Sequence, residues 1–447
     1  MNKNIVSVIG LGFVGFPTAC ILADKENYFK VIGIDKNIKK IKKEKIYPFL
    51  KKSNLFEDKA LNNICQRAIK KNKIYFTDDI KHIQKSNVVI VCINFDFKIN
   101  KLKKLRELKS FFNNLAKFLK KKSMILIETT LPPGTCDKII LPTIKSALKK
   151  RKIKITDIYF GYAFERVMPG KFYAKSITEN FKCFAGMNKL SGIKCKMFLK
   201  KYINHKKYPL FQFDNILDCE TAKILENSYR AINIAFIDEW TKFSFNNNVN
   251  LNQIIDAIKV RKSHNNIMRP GLGVGGYCLT KDPEFINFSV KQIFKKKPSF
   301  PITNYSMKIN RNMIFSSLEF IKNKVKSLKN KKILILGAAY KDNVSDTRES
   351  PSITLLKELS RYKIQPVLHD PITNTNDNDK HGILNYLPKF EKFDLVLFCV
   401  KHDFYNKISL KKFKKKPIYF DLNCVLDKKQ INFLLKNNFK IEVLGGK

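Results

Sequence analysis

The stretch Ile5-Val6-Ser7-Val8-Ile9-Gly10-Leu11-Gly12-Phe13-Val14-Gly15 decides the fold. A short apolar strand runs into three glycines spaced GxGxxG, and Ala19, Ile21 and Leu22 continue with helical spacing. Val31-Ile32-Gly33-Ile34 reads as the next strand and ends at Asp35. Strand, glycine turn, helix and a following acid together predict a dinucleotide-binding unit. The first glycine permits the tight turn, the second lets backbone approach a pyrophosphate, and the third lets helix and strand pack closely. The first amides of the helix then face the phosphates. Gly10, Gly12, Phe13, Val14 and Gly15 are therefore the expected cofactor cradle. Asp35 is expected to accept from the adenosine ribose hydroxyls, which selects NAD over NADP.

Outward from this unit, strands are expected at Val88–Ile93, Met124–Glu128 and Ile155–Tyr162, with helical stretches between them. That alternation predicts a doubly wound parallel sheet, whose ligands bind beyond the carboxyl ends of the strands. Thr129-Thr130-Leu131-Pro132-Pro133-Gly134-Thr135 follows one such end, and Ala163 to Gly170 another. A second α/β unit begins at Lys332-Ile333-Leu334-Ile335-Leu336-Gly337, with further strands at Gln365–Leu368, Asp394–Val400 and Ile418–Leu422. Its glycine turn lacks the full GxGxxG, so it need not hold a second dinucleotide.

Between the two lies a helical pattern from about residue 217 to 245, with an apolar stripe of Ile224, Leu225, Tyr229, Ile232, Phe236 and Trp240. Lys223 and Asn227 are four apart and project from neighbouring turns of one face. The fold class is thus α/β: two Rossmann-like doubly wound domains joined by a central helical region. The expected boundaries are 1–205, 206–315 and 316–447.

Pro270 to Pro283 (PGLGVGGYCLTKDP) places four glycines ahead of a single cysteine, Cys278, with Lys281 and Asp282 just behind it. Glycines let backbone pass close to a ligand. A thiol near a cation can be held as thiolate, the attacking form.

Composition excludes some classes. The 447 residues predict about three domains. Lys plus Arg number 86 against 38 acids, a net charge of +48, which invites a nucleic-acid reading. The lysines are dispersed among many Asn, Ile and Phe, residues that share A/T-rich codons, and no basic patch interleaved with aromatics stands out. No nucleic-acid partner is expected, although anionic small molecules gain from the positive field. The ten cysteines show no paired or zinc-type spacing, so no metal is expected and a reducing compartment fits. The N-terminus enters a strand at once, and no apolar run approaches the ~18 residues of a membrane span. The expectation is a cytoplasmic protein without membrane insertion.

Taken together these stretches resemble the nucleotide-sugar 6-dehydrogenases, the UDP-glucose/UDP-N-acetylhexosamine dehydrogenase family. The landmarks are Gly10 to Gly15, TTLPPGT, FERVMPG, the Lys223/Asn227 helix, GVGGYCLTKD and YKDNVSDTRESPS, nearly end to end. The resemblance implies an N-terminal NAD domain, a central dimerisation and catalytic region, and a C-terminal UDP-sugar domain in a homodimer or higher homo-oligomer. It implies double oxidation of a sugar C6 alcohol to the acid through a cysteine thiohemiacetal and thioester, feeding surface polysaccharide synthesis.

By the same resemblance Cys278 is the nucleophile. Lys223 and Asn227 stabilise charge on the reacting oxygen, Glu165 and Thr130 position or activate water, and Asp282 assists proton transfer. Thr130, Lys281 and Arg348 contact NAD. Glu165, Arg166, Val167, Lys223, Asn227, Arg261, Arg269, Gly275 and Lys341 contact the UDP-sugar, Arg261 from a neighbouring subunit.

Three places depart from the family pattern. Cys92-Ile93-Asn94-Phe95-Asp96 lacks the usual proline-threonine-proline turn, Phe164 replaces a proline, and Asn423 lies near a position where some members place a substrate-binding arginine. Arg166 to Gly170 and Gly273 to Gly276 look like the N-acetylglucosamine or N-acetylmannosamine branch, whereas Lys281-Asp282 looks like the UDP-glucose branch. An N-acetylhexosamine is the expected sugar. The alternatives are UDP-glucose, or a two-electron hydroxyacid dehydrogenase, which shares the first domain but needs no cysteine.

Overall fold

The computed structural model describes residues 4–25, 28–95, 101–373 and 375–446, so Asp96 lies outside the described residues. The chain forms two units, one of residues 1–225 with 285–298 and one of 226–284 with 299–447.

The first unit is built on β1 (Asn4–Ile9), β2 (Phe29–Ile34), β3 (Ile74–Thr77), β4 (Val88–Val91), β5 (Met124–Ile127), β6 (Tyr159–Tyr162), β7 (Cys183–Gly186) and β8 (Phe211–Gln212). Their order is β3-β2-β1-β4-β5-β6-β7-β8. All neighbours are parallel except β6 and β7. Both faces are covered, which is why β4 and β5 read as unbroken apolar runs. Alternation still sorts them: Val88 and Ile90 enter one core, Val89 and Val91 the other. Each such side chain contributes about 1.5–3 kcal/mol on burial. The order of strands reverses between β1 and β4, and that switch point is where an open α/β sheet holds its ligand.

The expected strand over Ile155–Tyr162 is shorter than its apolar pattern. The Asp157 carboxylate accepts the Lys154 amide at 3.1 Å, which closes a turn over Ile155–Asp157 and delays the strand to Tyr159.

In the second unit β9 (Ile333–Leu336), β10 (Val367–His369), β11 (Ile383–Leu384), β12 (Leu395–Phe398), β13 (Ile418–Asp421) and β14 (Ile441–Val443) form an all-parallel sheet, ordered β11-β10-β9-β12-β13-β14. Ile333 and Ile335 face one core, Leu334 and Leu336 the other.

One long helix, Ile216–Asn246, runs from the first unit into the second. Within the second unit it packs on the helix Pro301–Lys324: Asn310 donates to the Ala231 carbonyl at 2.9 Å and Ser316 to Asp238 at 3.3 Å. The expected helix is present, and its apolar stripe divides by exposure. Ile224 is buried, but Leu225, Tyr229, Phe236, Trp240 and Phe243 stand exposed along the helix. Periodicity marks an apolar face without saying what covers it.

Candidate functional site

In the first unit, β1 ends in the glycine turn and α1 (Gly15–Asp24) follows. Each glycine has its own reason. Gly10 has φ +91°, and a Cβ there would stand 2.7 Å from the Cys92 carbonyl oxygen at the end of β4. A Cβ on Gly15 would lie 1.9 Å from the Gly10 carbonyl oxygen. A Cβ on Gly12 would meet nothing within 4 Å. Gly12 therefore faces open space, whereas Gly10 and Gly15 let the fold close. Val14 caps α1 without a side-chain hydrogen bond and the first turn carries no acid; Phe16 donates its amide to the Gly12 carbonyl at 3.3 Å and Pro17 has no amide hydrogen, so a pyrophosphate would be met chiefly by the amides of the glycine turn itself. These features fit a bound dinucleotide.

Asp35 lies just beyond β2, accepting the Leu11 amide through Oδ2 and the Asn37 amide through Oδ1, both at 2.8 Å. Phe13 is exposed, and its carbonyl accepts the Tyr173 hydroxyl. No motif marks Lys45, whose ammonium donates to the Leu11 carbonyl at 2.7 Å and lies 4.9 Å above the Phe16 ring. Burial pulls that ammonium down to about 8.

Thr130 follows β5, half-buried, in a loop held by an acid that the sequence reading did not single out. Glu220, fully buried, accepts the Gly134 amide at 2.6 Å and the Cys136 amide at 3.0 Å. It caps the helical stretch that starts at Cys136, and burial pushes its carboxyl up to about 8. Glu220 lies one turn before Lys223 on the long helix, so that helix fixes the loop directly.

Glu165 sits beyond β6, buried. Burial pushes its carboxyl up to about 7, against the pull of the Lys182 ammonium that contacts it. Phe164 has two cations against its ring: the Arg166 guanidinium lies 4.7 Å and the Lys223 ammonium 5.6 Å from its centre. Arg166 also donates to the Phe181 carbonyl at 2.7 Å, and Val167 packs on the core.

In the second unit Asn227 donates to Asp282 Oδ2 at 2.9 Å, and Lys281 Nζ donates to Oδ1 at 2.6 Å. All three are buried, Asp282 completely. The Asp282 amide donates to the Cys278 carbonyl at 2.8 Å, so the carboxylate is tied to the cysteine's own turn. Cys278 is exposed. The Tyr277 ring is held by Lys281 at 4.4 Å and Arg348 at 5.6 Å, and Arg348 pairs with Asp346 at 2.6 Å.

The glycines ahead of Cys278 lie against the Asp346–Pro351 turn and Tyr340. A Cβ on Gly275 would fall 2.8 Å from the Glu349 carbonyl, Pro351 and Tyr340. Asn423 Oδ1 approaches Gly271 to within 2.7 Å of where a Cβ would stand. Arg269 pairs with Asp256, Arg261 is exposed, and Lys341 is half-buried.

The second glycine turn is closed. Asp370 Oδ2 accepts the Ala338 and Ala339 amides at 2.7 and 3.0 Å, the donors a pyrophosphate would use. The Asn343 amide donates to His402 Nδ1, so Nε2 carries the proton and donates it to Asp370 at 3.0 Å.

The dinucleotide cradle of the first unit is that of a nicotinamide-dependent dehydrogenase, and the second unit separately carries a cysteine turn backed by a buried carboxylate. The chain matches the family's NAD binding domain over residues 4–192, its central domain over 218–312 and its UDP binding domain over 334–428. A UDP-N-acetyl-D-mannosamine dehydrogenase of Methanococcus vannielii is 30% identical over 98% of this chain and 96% of its own length. Two solved structures share the fold. One is a UDP-D-ManNAc dehydrogenase of Pyrococcus horikoshii, with TM-score 0.77 at 22% identity and 99% of each chain covered. The other is a UDP-glucose dehydrogenase of Pyrobaculum islandicum, with TM-score 0.79 at 17% identity and 96% of each chain covered. The chain belongs to the UDP-glucose/GDP-mannose dehydrogenase family. It is an enzyme, an NAD-dependent UDP-sugar dehydrogenase. Among the described residues no helix is long and apolar enough to cross a membrane.

Proposed function

We propose that the enzyme oxidises UDP-N-acetyl-D-mannosamine at C6 to the uronic acid in two steps, through a covalent intermediate on Cys278. The observation that carries the covalent reading is the turn in which an exposed Cys278 is followed by buried Asp282, itself bound by Asn227 and Lys281. The choice of sugar rests on the name of the Methanococcus vannielii relative. It also rests on the Arg166–Gly170 and Gly273–Gly276 segments.

Gly10, Gly12, Phe13, Val14, Gly15, Asp35, Thr130, Lys281 and Arg348 hold NAD. When bound, NAD accepts a hydride from C6 in each of the two oxidations. Lys223 and Asn227 stabilise negative charge on the C6 oxygen as its proton is released to water and the first hydride leaves, which gives the aldehyde. Cys278 Sγ forms a bond to the aldehyde carbon, its proton passing to Asp282, and gives a thiohemiacetal. Loss of the second hydride leaves a thioester. Glu165 and Thr130 position the water that adds to it, the C–S bond breaks, and the acid leaves with the thiol restored. Arg166, Val167, Arg269, Gly275 and Lys341 bind the UDP-sugar.

The enzyme works as a homodimer or larger homo-oligomer in the cytoplasm and supplies surface polysaccharide synthesis. The exposed row Leu225, Tyr229, Phe236, Trp240 and Phe243 supports a self-association face, with exposed Arg261 reaching a neighbour's substrate. Comparison of kcat/KM for UDP-ManNAc, UDP-GlcNAc and UDP-glucose tests the sugar. UDP-ManNAc is expected to lead by at least about tenfold, or ~1.4 kcal/mol. A lead for UDP-glucose would overturn the choice.

A further inference from the structure

The proposed chemistry leaves one buried cation without a task. Lys182, just before β7, donates to Glu128 Oε1 at 2.9 Å and contacts Glu165 Oε1. Side-chain exposures are 4% for Lys182, 0% for Glu128 and 6% for Glu165. Two carboxylates thus share one ammonium with little access to water.

The two acids are not equivalent. Glu128, just past β5, also receives the Cys92 thiol at 3.4 Å and the Tyr202 hydroxyl at 3.4 Å. Among the described residues Glu165 has one donor, the Lys182 ammonium, and its other side-chain partner is the Glu128 carboxyl itself. Buried charge is costly unless paired and hydrogen-bonded. With three donors, Glu128 is the better place for the negative charge, and Glu165 is where a proton is most easily gained or lost.

The other titratable groups facing Glu165 in this unit are Glu128 from β5, Cys92 from β4 and Tyr202 beyond the helix Lys189–Leu199. Burial pushes the Cys92 thiol and the Tyr202 hydroxyl far up, so both stay neutral. Burial alone would pull the Lys182 ammonium down, but Glu128 and Glu165 more than offset it, and it stays charged. Among the described residues Lys182 is the one cation paired with either carboxylate.

We propose that Lys182 is a positioning residue for the reaction: shared between Glu128 and Glu165, it fixes the Glu165 carboxyl and sets how tightly that carboxyl holds its proton. Its catalytic consequence rests on the reading of Glu165 as the group that handles water.

The test uses the full-length enzyme and difference infrared titration of the carboxyl band. Subtracting Glu165→Gln from wild type isolates Glu165, and the subtraction is repeated in a Lys182→Met background. An opposite charge in contact lowers a carboxyl by about 1–3 pH units. The Glu165 midpoint is therefore expected to rise at least about tenfold in proton affinity in Lys182→Met, and to return in Lys182→Arg. The pH limb of kcat should move with it, while the KM for NAD stays within about twofold. An unmoved midpoint would overturn the proposal. If Lys182→Met does not fold, Lys182→Gln must show the rise that Lys182→Arg does not. If the midpoint moves but kcat does not follow and Glu165→Gln still turns over, the reading of Glu165 as the water-handling group fails. The hold of Lys182 on its proton would then still stand.

Discussion

Two alanine substitutions in the same glycine turn should have opposite consequences. At Gly15 the added methyl would lie 1.9 Å from the Gly10 carbonyl oxygen and 3.1 Å from Cys92 Cβ. Neither the oxygen nor the cysteine can step aside, because Gly10 is bonded to Ile34 and Cys92 to Ile9 through backbone amides, both at 2.8 Å. Helix α1 must move off the sheet. Overpacking of this kind costs about 1–3 kcal/mol, and alanine's better helix propensity returns at most ~1. The net expectation for Gly15→Ala is a loss of about 1–2 kcal/mol in unfolding free energy, read from the urea midpoint at unchanged slope.

At Gly12 the methyl meets no protein atom within 4 Å, so stability should stay within ±0.5 kcal/mol or so. In the proposed NAD site that space is the pyrophosphate's. NAD affinity by calorimetric titration should fall at least about tenfold, or ~1.4 kcal/mol. A Gly12→Ala enzyme that binds NAD like wild type, or a Gly15→Ala enzyme as stable as wild type, would refute the division of roles.

Other outcomes follow from the same geometry. Cys278→Ser should bind NAD and UDP-sugar but lose acid formation by ~10³-fold or more, measured as product acid by mass spectrometry. Glu220→Ala orphans two buried amides at about 1–3 kcal/mol each, so unfolding free energy in urea should drop by ~2–6 kcal/mol. Glu165 is raised from the ordinary 4.5 to about 7, so the stability tied to its proton is full below 4.5 and is lost as pH rises through 7. The wild-type minus Glu165→Gln difference in unfolding free energy should therefore shrink by on the order of 3 kcal/mol across that interval.

What could be read in the sequence was what local sterics dictate. GxGxxG admits few alternatives, and Gly10 and Gly15 show why: one carries a positive φ, the other a backbone oxygen where a side chain would go. Strand centres such as Val88–Val91 were equally plain, since both faces are buried. Strand ends were not, because a single hydrogen bond from the Lys154 amide to Asp157 decides where β6 starts.

The supporting shell was out of reach for a different reason. Lys182 is one of 86 lysines and arginines, and nothing in its neighbourhood separates it from a solvated surface lysine. Only the approach of β5 and the segment after β6 gives it two carboxylates. Glu220 likewise acquires meaning from amides 84 and 86 residues away. The return of residues 285–298 to the first unit, where Ser289 donates to the Pro133 carbonyl, has no local composition signal.

The most direct test of the account is the amount of NADH formed per UDP-ManNAc consumed, with NAD in excess. Covalent double oxidation through Cys278 predicts two. A value of one would make this a simple alcohol dehydrogenase and contradict the role given to Cys278 and the groups behind it.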